Sequence, residues 1–88
     1  MRNQELIEKT KEIEQKKIDG NLLGTDIGMW YLEAVRRELK KDDYICCDVE
    51  ATYRDTVMLQ RKIDNSILCG FDVPLDYIQR VRSILEGI

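Results

Sequence analysis

The longest amphipathic stretch of the chain runs from Asp48 to Cys69 without a glycine or a proline. Its apolar and aromatic side chains recur at intervals of three, four or their sums, which is the spacing of residues on one face of an α-helix. These side chains belong to Val49, Tyr53, Val57, Ile63 and Ile67. The pattern predicts a long helix at the centre of the fold, against which the remaining helices pack.

Three further segments, residues 3–19, 26–41 and 74–87, show the same helical spacing between charged positions. The first of them has few apolar residues, namely Leu6, Ile7, Ile13 and Ile18. We therefore expect it to be the least firmly docked helix and to need a second copy of the chain or another protein to hold it. The last segment starts at Pro74, which suits the first position of a helix.

The residues between these segments fit helix ends. Thr25 or Asp26 can cap the second helix, and a glycine follows the long one. Residues 44–47 allow two interpretations. The long helix begins either near Asp43 or, after an extended connector, near Asp48.

Neither an alternating strand pattern nor an internal repeat is recognised in the sequence. Short connections between helices favour antiparallel neighbours. The sequence thus predicts one all-α domain, residues 1–88, folded as a small antiparallel four-helix bundle. Its predicted helices cover about residues 3–19, 26–41, 43 or 48–69, and 74–87.

Composition restricts the classes of function. Of the 88 residues 43% are hydrophobic and 35% are charged, and the net charge is −3. No segment has the surplus of lysine and arginine that non-specific nucleic-acid binding requires, so nucleic acid is not an expected partner. No apolar run approaches the roughly 18 residues of a membrane-spanning helix, and no signal peptide is recognised. We therefore expect a soluble, cytoplasmic protein whose three cysteines are reduced.

The residues offer little catalytic chemistry. The chain contains no histidine, which excludes serine–histidine and cysteine–histidine nucleophiles and the usual zinc ligand sets. Glu5 and Glu8 only partly match the paired Glu-x-x-Glu and Glu-x-x-Asp of all-α nucleotide pyrophosphatases, and we interpret them as a solvated surface. Cys46 and Cys47 are interpreted as core packing. The sequence predicts neither an enzyme nor a cofactor or metal site.

One cluster of basic residues lies near the end of the second helix and contains Arg36, Arg37, Lys40 and Lys41. Arg80 and Arg82 join this cluster if the last helix lies alongside. Arginine forks and a nearby aromatic ring are the groups that a nucleotide pocket requires. The predicted anion-binding residues are therefore Arg36, Arg37, Lys40 and Arg80. The alternative is that these bases compensate the helix dipole and extend along the surface.

A row of residues in the same helix, Trp30, Ala34, Arg37 and Lys41, lies on a different side from the inward stripe. The inward stripe consists of Ile27, Tyr31, Leu32, Val35 and Leu39. Trp30 is then either an exposed residue or a lid over the margin of the core. Tryptophan, tyrosine and arginine are enriched at binding hot spots. The predicted partner-binding residues are therefore Trp30, Tyr31, Arg37 and Lys41.

These observations favour binding over catalysis. The leading hypothesis is a non-catalytic protein–protein interaction module that forms homo-oligomers. Its layout of four short helices in a small acidic chain is similar to that of immunity proteins that neutralise bacteriocins and of phage-encoded inhibitors of bacterial defence. This likeness concerns architecture, and architecture does not determine function. The alternative hypothesis is a protein that sequesters a small phosphorylated ligand, such as a nucleotide, between its helices.

Overall fold

The computed structural model describes residues 4–41, 47–65 and 73–87. These ranges contain five helices and no strand, which confirms the all-α class. The helices are α1 (Gln4–Asp19), α2 (Gly24–Ile27), α3 (Met29–Lys41), α4 (Cys47–Asp64) and α5 (Leu75–Leu85). The Cα radius of gyration is 12.1 Å, and a compact domain of this length is expected at about 12 Å. The antiparallel arrangement of the helices stays a prediction.

The second predicted helix, residues 26–41, is divided in two. Gly28 has a φ of 72°, in the left-handed region that favours glycine, and this conformation ends α2 before α3 begins. Asp26 lies inside α2 and does not precede it as a cap. Its Oδ2 accepts a hydrogen bond of 2.8 Å from the backbone N–H of Leu23, which is the N-cap residue. The prediction of one continuous helix that begins at a Thr25 or Asp26 cap is therefore wrong.

The last two helices differ from their predicted limits by a few residues. α4 ends at Asp64, and Asn65 lies in a turn. Pro74 is the N-cap residue of α5, with an extended ψ of 139°, and not its first helical residue. The predictions for residues 42–46 and 66–72 lie outside the described residues.

α3 and α5 form the centre of the bundle. α5 packs against α1, α3 and α4, and α3 packs against α1, α4 and α5. α5 buries Tyr77, Ile78, Val81 and Leu85, whereas α4 buries one apolar side chain, Leu59, in the described part of the chain. Within residues 47–65, the described part of the predicted long helix, the structure therefore does not show it as the central helix. Residues 66–69 of that helix lie outside the described residues.

α1 packs through polar as well as apolar side chains, and that it is the least firmly docked helix stays a prediction. Its main neighbour is α5. Besides three apolar side chains it buries Thr10 and Glu14. Thr10 Oγ1 is hydrogen bonded to Tyr31 Oη at 2.7 Å, and Glu14 Oε1 accepts a hydrogen bond of 2.6 Å from Arg82 Nη1. Buried polar groups need such partners. With these partners, two polar residues, Thr10 and Glu14, belong to the inward face of α1.

Two buried side-chain hydrogen bonds of the first half of the chain recur in the second half at an offset of 46 positions. Thr10 Oγ1 donates to the Leu6 carbonyl at 2.8 Å and bonds Tyr31 Oη. Thr56 Oγ1 donates to the Thr52 carbonyl at 2.8 Å and bonds Tyr77 Oη at 2.9 Å. We call residues 46 positions apart repeat equivalents. The sequence-based conclusion that the chain has no internal repeat is therefore wrong.

The repeat extends to the packing of the core. Among the residues that the structure describes, eight pairs of repeat equivalents have both side chains buried. These pairs are Leu6 and Thr52, Thr10 and Thr56, Ile13 and Leu59, Ile27 and Val73, Tyr31 and Tyr77, Leu32 and Ile78, Val35 and Val81, and Leu39 and Leu85. The pairing of α1 with α5 is thereby equivalent to the pairing of α4 with α3. Each half of the chain packs mainly on the other half.

Because two tyrosines, Tyr31 and Tyr77, are buried, we expect the fold to lose stability in alkali. Burial raises the pKa of Tyr77 from 10.0 to about 12 and raises the pKa of Tyr31 as well. Folding thus favours the neutral phenols. Their contribution to the unfolding free energy is complete below pH 10 and is lost as the pH rises through 12. We expect the unfolding free energy, measured with urea, to fall more steeply over this range in the natural protein than in Tyr77→Phe. Equal slopes would contradict this account.

Candidate functional site

The outer face of α3 carries the one exposed tryptophan. At 3.6 residues per turn, Trp30, Arg37 and Lys41 lie within about 40° of one another around the helix. The opposite side of α3 holds its buried residues, from Tyr31 to Leu39. Trp30 is 52% exposed, and its ring meets that of Tyr31 edge to face at a centroid distance of 6.3 Å. The structure therefore agrees with the interpretation of Trp30 as an exposed residue and not with that of a lid over the margin of the core.

Tyr31 does not belong to this surface. It is 2% exposed, and its hydroxyl is hydrogen bonded to Thr10. One position along a helix is a rotation of about 100°, which carries the side chain after Trp30 into the core. The structure thus contradicts Tyr31 as a partner-binding residue. Ala34 is half-buried and packs against the core.

The basic residues of this face differ in how they are held. Lys41 Nζ forms an ion pair of 2.6 Å with Glu38 Oε1. Arg37 is exposed, and within residues 4–41, 47–65 and 73–87 it makes no hydrogen bond or ion pair. Lys40 Nζ lies 5.4 Å from the centre of the Tyr53 ring. Arg37 is consequently the most available cation of the face.

A shallow depression of about 260 Å³ lies beside this face and is lined by Glu33, Arg36, Arg37 and Lys40. Arg36 Nη1 donates a hydrogen bond of 2.6 Å to Gln60 Oε1 on α4. The Arg36 guanidinium carbon also lies 5.8 Å from the centre of the Tyr53 ring, within the range of a cation–π contact. Arg36, and after it Lys40, lowers the pKa of Tyr53 because both cations favour the phenolate. The depression is therefore a place of positive potential.

Arg80 is not part of the depression, which corrects the predicted set of four anion-binding residues. It forms an ion pair with Asp55 and donates to Thr52 Oγ1 at 3.3 Å. Asp55 lies two positions after Tyr53 on α4 and therefore about 160° away around that helix. Arg36 and Arg80 thus contact opposite flanks of α4, whose intervening face packs into the core.

The internal repeat shows which features of α3 the fold does not require. The buried apolar positions of α3 and α5 match, but their outer faces differ in residue type. On the outer face of α5 the equivalents of Trp30, Ala34, Arg37, Lys40 and Lys41 are Asp76, Arg80, Ser83, Glu86 and Gly87. The outer face of α3 therefore has a tryptophan and three cations at positions where α5 has polar residues of mixed charge and no aromatic residue. Sequence analysis missed this signal, although the matching residues can be found in the sequence once the offset is known.

Two further features bear on the classes of function. Among the described residues, no group of three or more histidine, cysteine or acidic side chains is placed to hold a metal ion. Within the same ranges, none of the helices combines the length and the apolar character needed to cross a bilayer. Glu5 and Glu8 are both exposed on α1.

Comparison with known proteins finds no matching family model, no similar curated protein and no similar solved structure. Function therefore has to be argued from the chemistry of the site and not from the fold.

Proposed function

We propose that the protein is a non-catalytic protein–protein interaction module that binds its partner through the outer face of α3. Trp30 and Arg37 are the main contact residues of this face, with Lys41 beside them, and Lys40 borders the face about 80° from Trp30 around the helix. The observation that carries the proposal is the exposed tryptophan at a position where the repeat equivalent is an aspartate. Because Asp76 is compatible with the same buried core, the fold does not need an aromatic residue at this position.

The residue types of the face fit a binding surface. Tryptophan and arginine are enriched at hot spots, where a few side chains supply most of the binding free energy. An exposed indole buries a large apolar area when it enters a pocket of a partner. Arg37 and Lys40 add positive charge, which steers and selects an acidic partner. We therefore propose a partner with an apolar pocket next to acidic side chains.

A different protein suits this face better than a second copy of the chain. In a two-fold symmetric dimer the same surface patch is used twice. Pairing the α3 faces would bring Arg37 and Lys40 of both copies together, and like charges at short range are unfavourable. We propose that the protein acts in the cytoplasm as a small inhibitor or accessory protein of another macromolecule. The predicted homo-oligomer would need a surface other than this face.

Photo-crosslinking tests the proposal and captures the partner in the same step. A benzophenone amino acid is placed at position 30 in one variant and at position 76 in another, and both are irradiated in the cells that express the protein. We expect discrete crosslinked proteins from position 30 and none of them from position 76, its repeat equivalent. Equal products from both positions, or none from position 30, would reject the α3 face as the binding surface.

A second candidate function is the binding of a small phosphorylated ligand in the depression of α3. The clustering of Arg36, Arg37 and Lys40 around it favours this function. The shallow shape and the carboxylate of Glu33 do not favour it, since nucleotide sites enclose most of the ligand. A ligand that binds only the folded state raises Tm. Absence of a shift with every member of a nucleotide panel would exclude this candidate.

A further inference from the structure

We infer that the depression formed by Arg36, Arg37 and Lys40 is a carboxylate-binding site, and that an acidic side chain of the partner protein occupies it. This inference rests on the proposed function and adds the chemistry by which the partner is recognised. It is carried by a comparison between Arg36 and its repeat equivalent, Arg82. The two arginines make the same hydrogen bond in the two halves of the molecule but have opposite electrostatic surroundings.

Arg82 lies between two carboxylates. Its Nη1 donates to Glu14 Oε1 at 2.6 Å, and its Nε lies 3.5 Å from Glu86 Oε1. Glu14 comes from α1, and Glu86 follows α5 directly. One guanidinium is therefore surrounded by two negative charges supplied by the same chain.

Arg36 has neither of these carboxylates. Gln60 takes the place of Glu14 and accepts the same hydrogen bond at the same distance of 2.6 Å, but it carries no charge. Lys40 takes the place of Glu86 and reverses the charge. In agreement with that exchange, Arg36 Nε is buried and has no hydrogen-bond partner in the described part of the chain. Among residues 4–41, 47–65 and 73–87, this guanidinium thus has no counter-ion.

The neighbouring positions increase the difference. Arg37 stands where the other half has Ser83, and Tyr53 stands where it has Ile7. Three cations therefore gather around the depression with one carboxylate, that of Glu33, in its lining. The lowered pKa of Tyr53 agrees with an excess of positive charge at this point. An anion from outside the chain would supply the charge that Glu14 and Glu86 supply to Arg82.

A protein carboxylate fits this place better than a free nucleotide. The anions paired with the equivalent arginine are the side chains of Glu14 and Glu86, which shows that a guanidinium at this position of the fold pairs with carboxylates. The depression is shallow and lies on the helix that presents Trp30. Trp30 and Arg37 are seven residues apart, which is about 10 Å along the axis. One partner surface can therefore bury the indole and place a carboxylate on the cations.

The test restores the missing internal carboxylate. In Gln60→Glu the new side chain occupies the place that Glu14 has beside Arg82, so it competes with any external anion. Binding of an oligoglutamate peptide to the full chain is followed by NMR through the Arg36 Nε–Hε and Tyr53 ring signals. We expect Gln60→Glu to bind at least tenfold more weakly than the natural protein. Glu14→Gln, the matched change in the other half, should bind within twofold of it.

The outcomes separate this inference from the proposed function. Equal peptide binding by the natural protein and Gln60→Glu, or no binding by the natural protein, would overturn the carboxylate site even if crosslinks form at position 30. Peptide binding that Gln60→Glu removes, together with an absence of crosslinks, would support the site and reject the proposed function. Inorganic phosphate and ATP are titrated in parallel. Binding of ATP without binding of the peptide would overturn the carboxylate and favour a phosphorylated ligand.

Discussion

Trp30→Asp is expected to weaken the binding of the partner at least thirtyfold while leaving the fold intact. A hot-spot side chain contributes about 2 kcal/mol or more, and each 1.4 kcal/mol corresponds to a factor of ten. The variant copies the residue at the equivalent position of α5, where the side chain of Asp76 is 77% exposed. It also places a negative charge in the first turn of α3, which the helix dipole favours. We expect the loss of the half-buried indole to cost about 1 kcal/mol of unfolding free energy.

Affinity is measured against the protein identified by crosslinking, and the fold is checked by circular dichroism with urea unfolding. Met58→Asp is the matched control, because Met58 is 53% exposed on α4 and is not part of the α3 face. We expect Met58→Asp to bind like the natural protein. An unfolded Trp30→Asp variant would show that the indole is a lid over the core, and full binding by a folded variant would remove Trp30 from the interface.

Arg82→Ala is expected to destabilise the protein by about 2 kcal/mol, and Arg36→Ala by less than about 1 kcal/mol. The two arginines are repeat equivalents with the same hydrogen-bond length, so the difference lies in their acceptors. Removing Arg82 leaves the carboxylate of Glu14, a residue that is 7% exposed, without its cation. Removing Arg36 leaves a neutral amide. A buried charge without a partner is costlier than a buried amide.

Urea unfolding at neutral pH measures both losses. The double variant Glu14→Gln with Arg82→Ala should regain most of the stability lost in Arg82→Ala, because the uncompensated charge is gone. Equal losses for the two arginine variants, or no recovery in the double variant, would show that the charge of Glu14 does not matter for folding.

Periodicity is sufficient to predict the helical class and most of the inward residues of α3 and α5. It places Tyr31, Val35 and Leu39 on the inward stripe, and all three are buried. In α4 the predicted residues Val49, Tyr53, Val57 and Ile63 are only half-buried, and the buried residues are Thr52, Thr56 and Leu59.

The pattern fails where burial depends on a distant residue. Thr10 and Glu14 look like surface residues until Tyr31 and Arg82 are placed beside them, and these contacts join positions 21 and 68 residues apart. Periodicity underestimates the number of buried residues in α1 for this reason.

The site is predictable in part. Helical spacing places Trp30, Arg37 and Lys41 on one face without coordinates, whereas the position of Arg80 depends on which flank of α4 its helix contacts. The internal repeat escapes a reading of the sequence because few of its equivalent positions hold the same residue, and most of the surface residues between the matches are unrelated. Hydrogen bonds with the same geometry make the match evident.

The mutual packing of the two halves has a consequence for the state of the protein at high concentration. α1 finds its main neighbour in α5, and α3 finds its main neighbour in α4. The same contacts are available when the first half of one molecule docks on the second half of another. Such an exchange of halves rebuilds the contacts of α1 with α5 and of α3 with α4, so the resulting dimer contains the same helix pairs as the monomer.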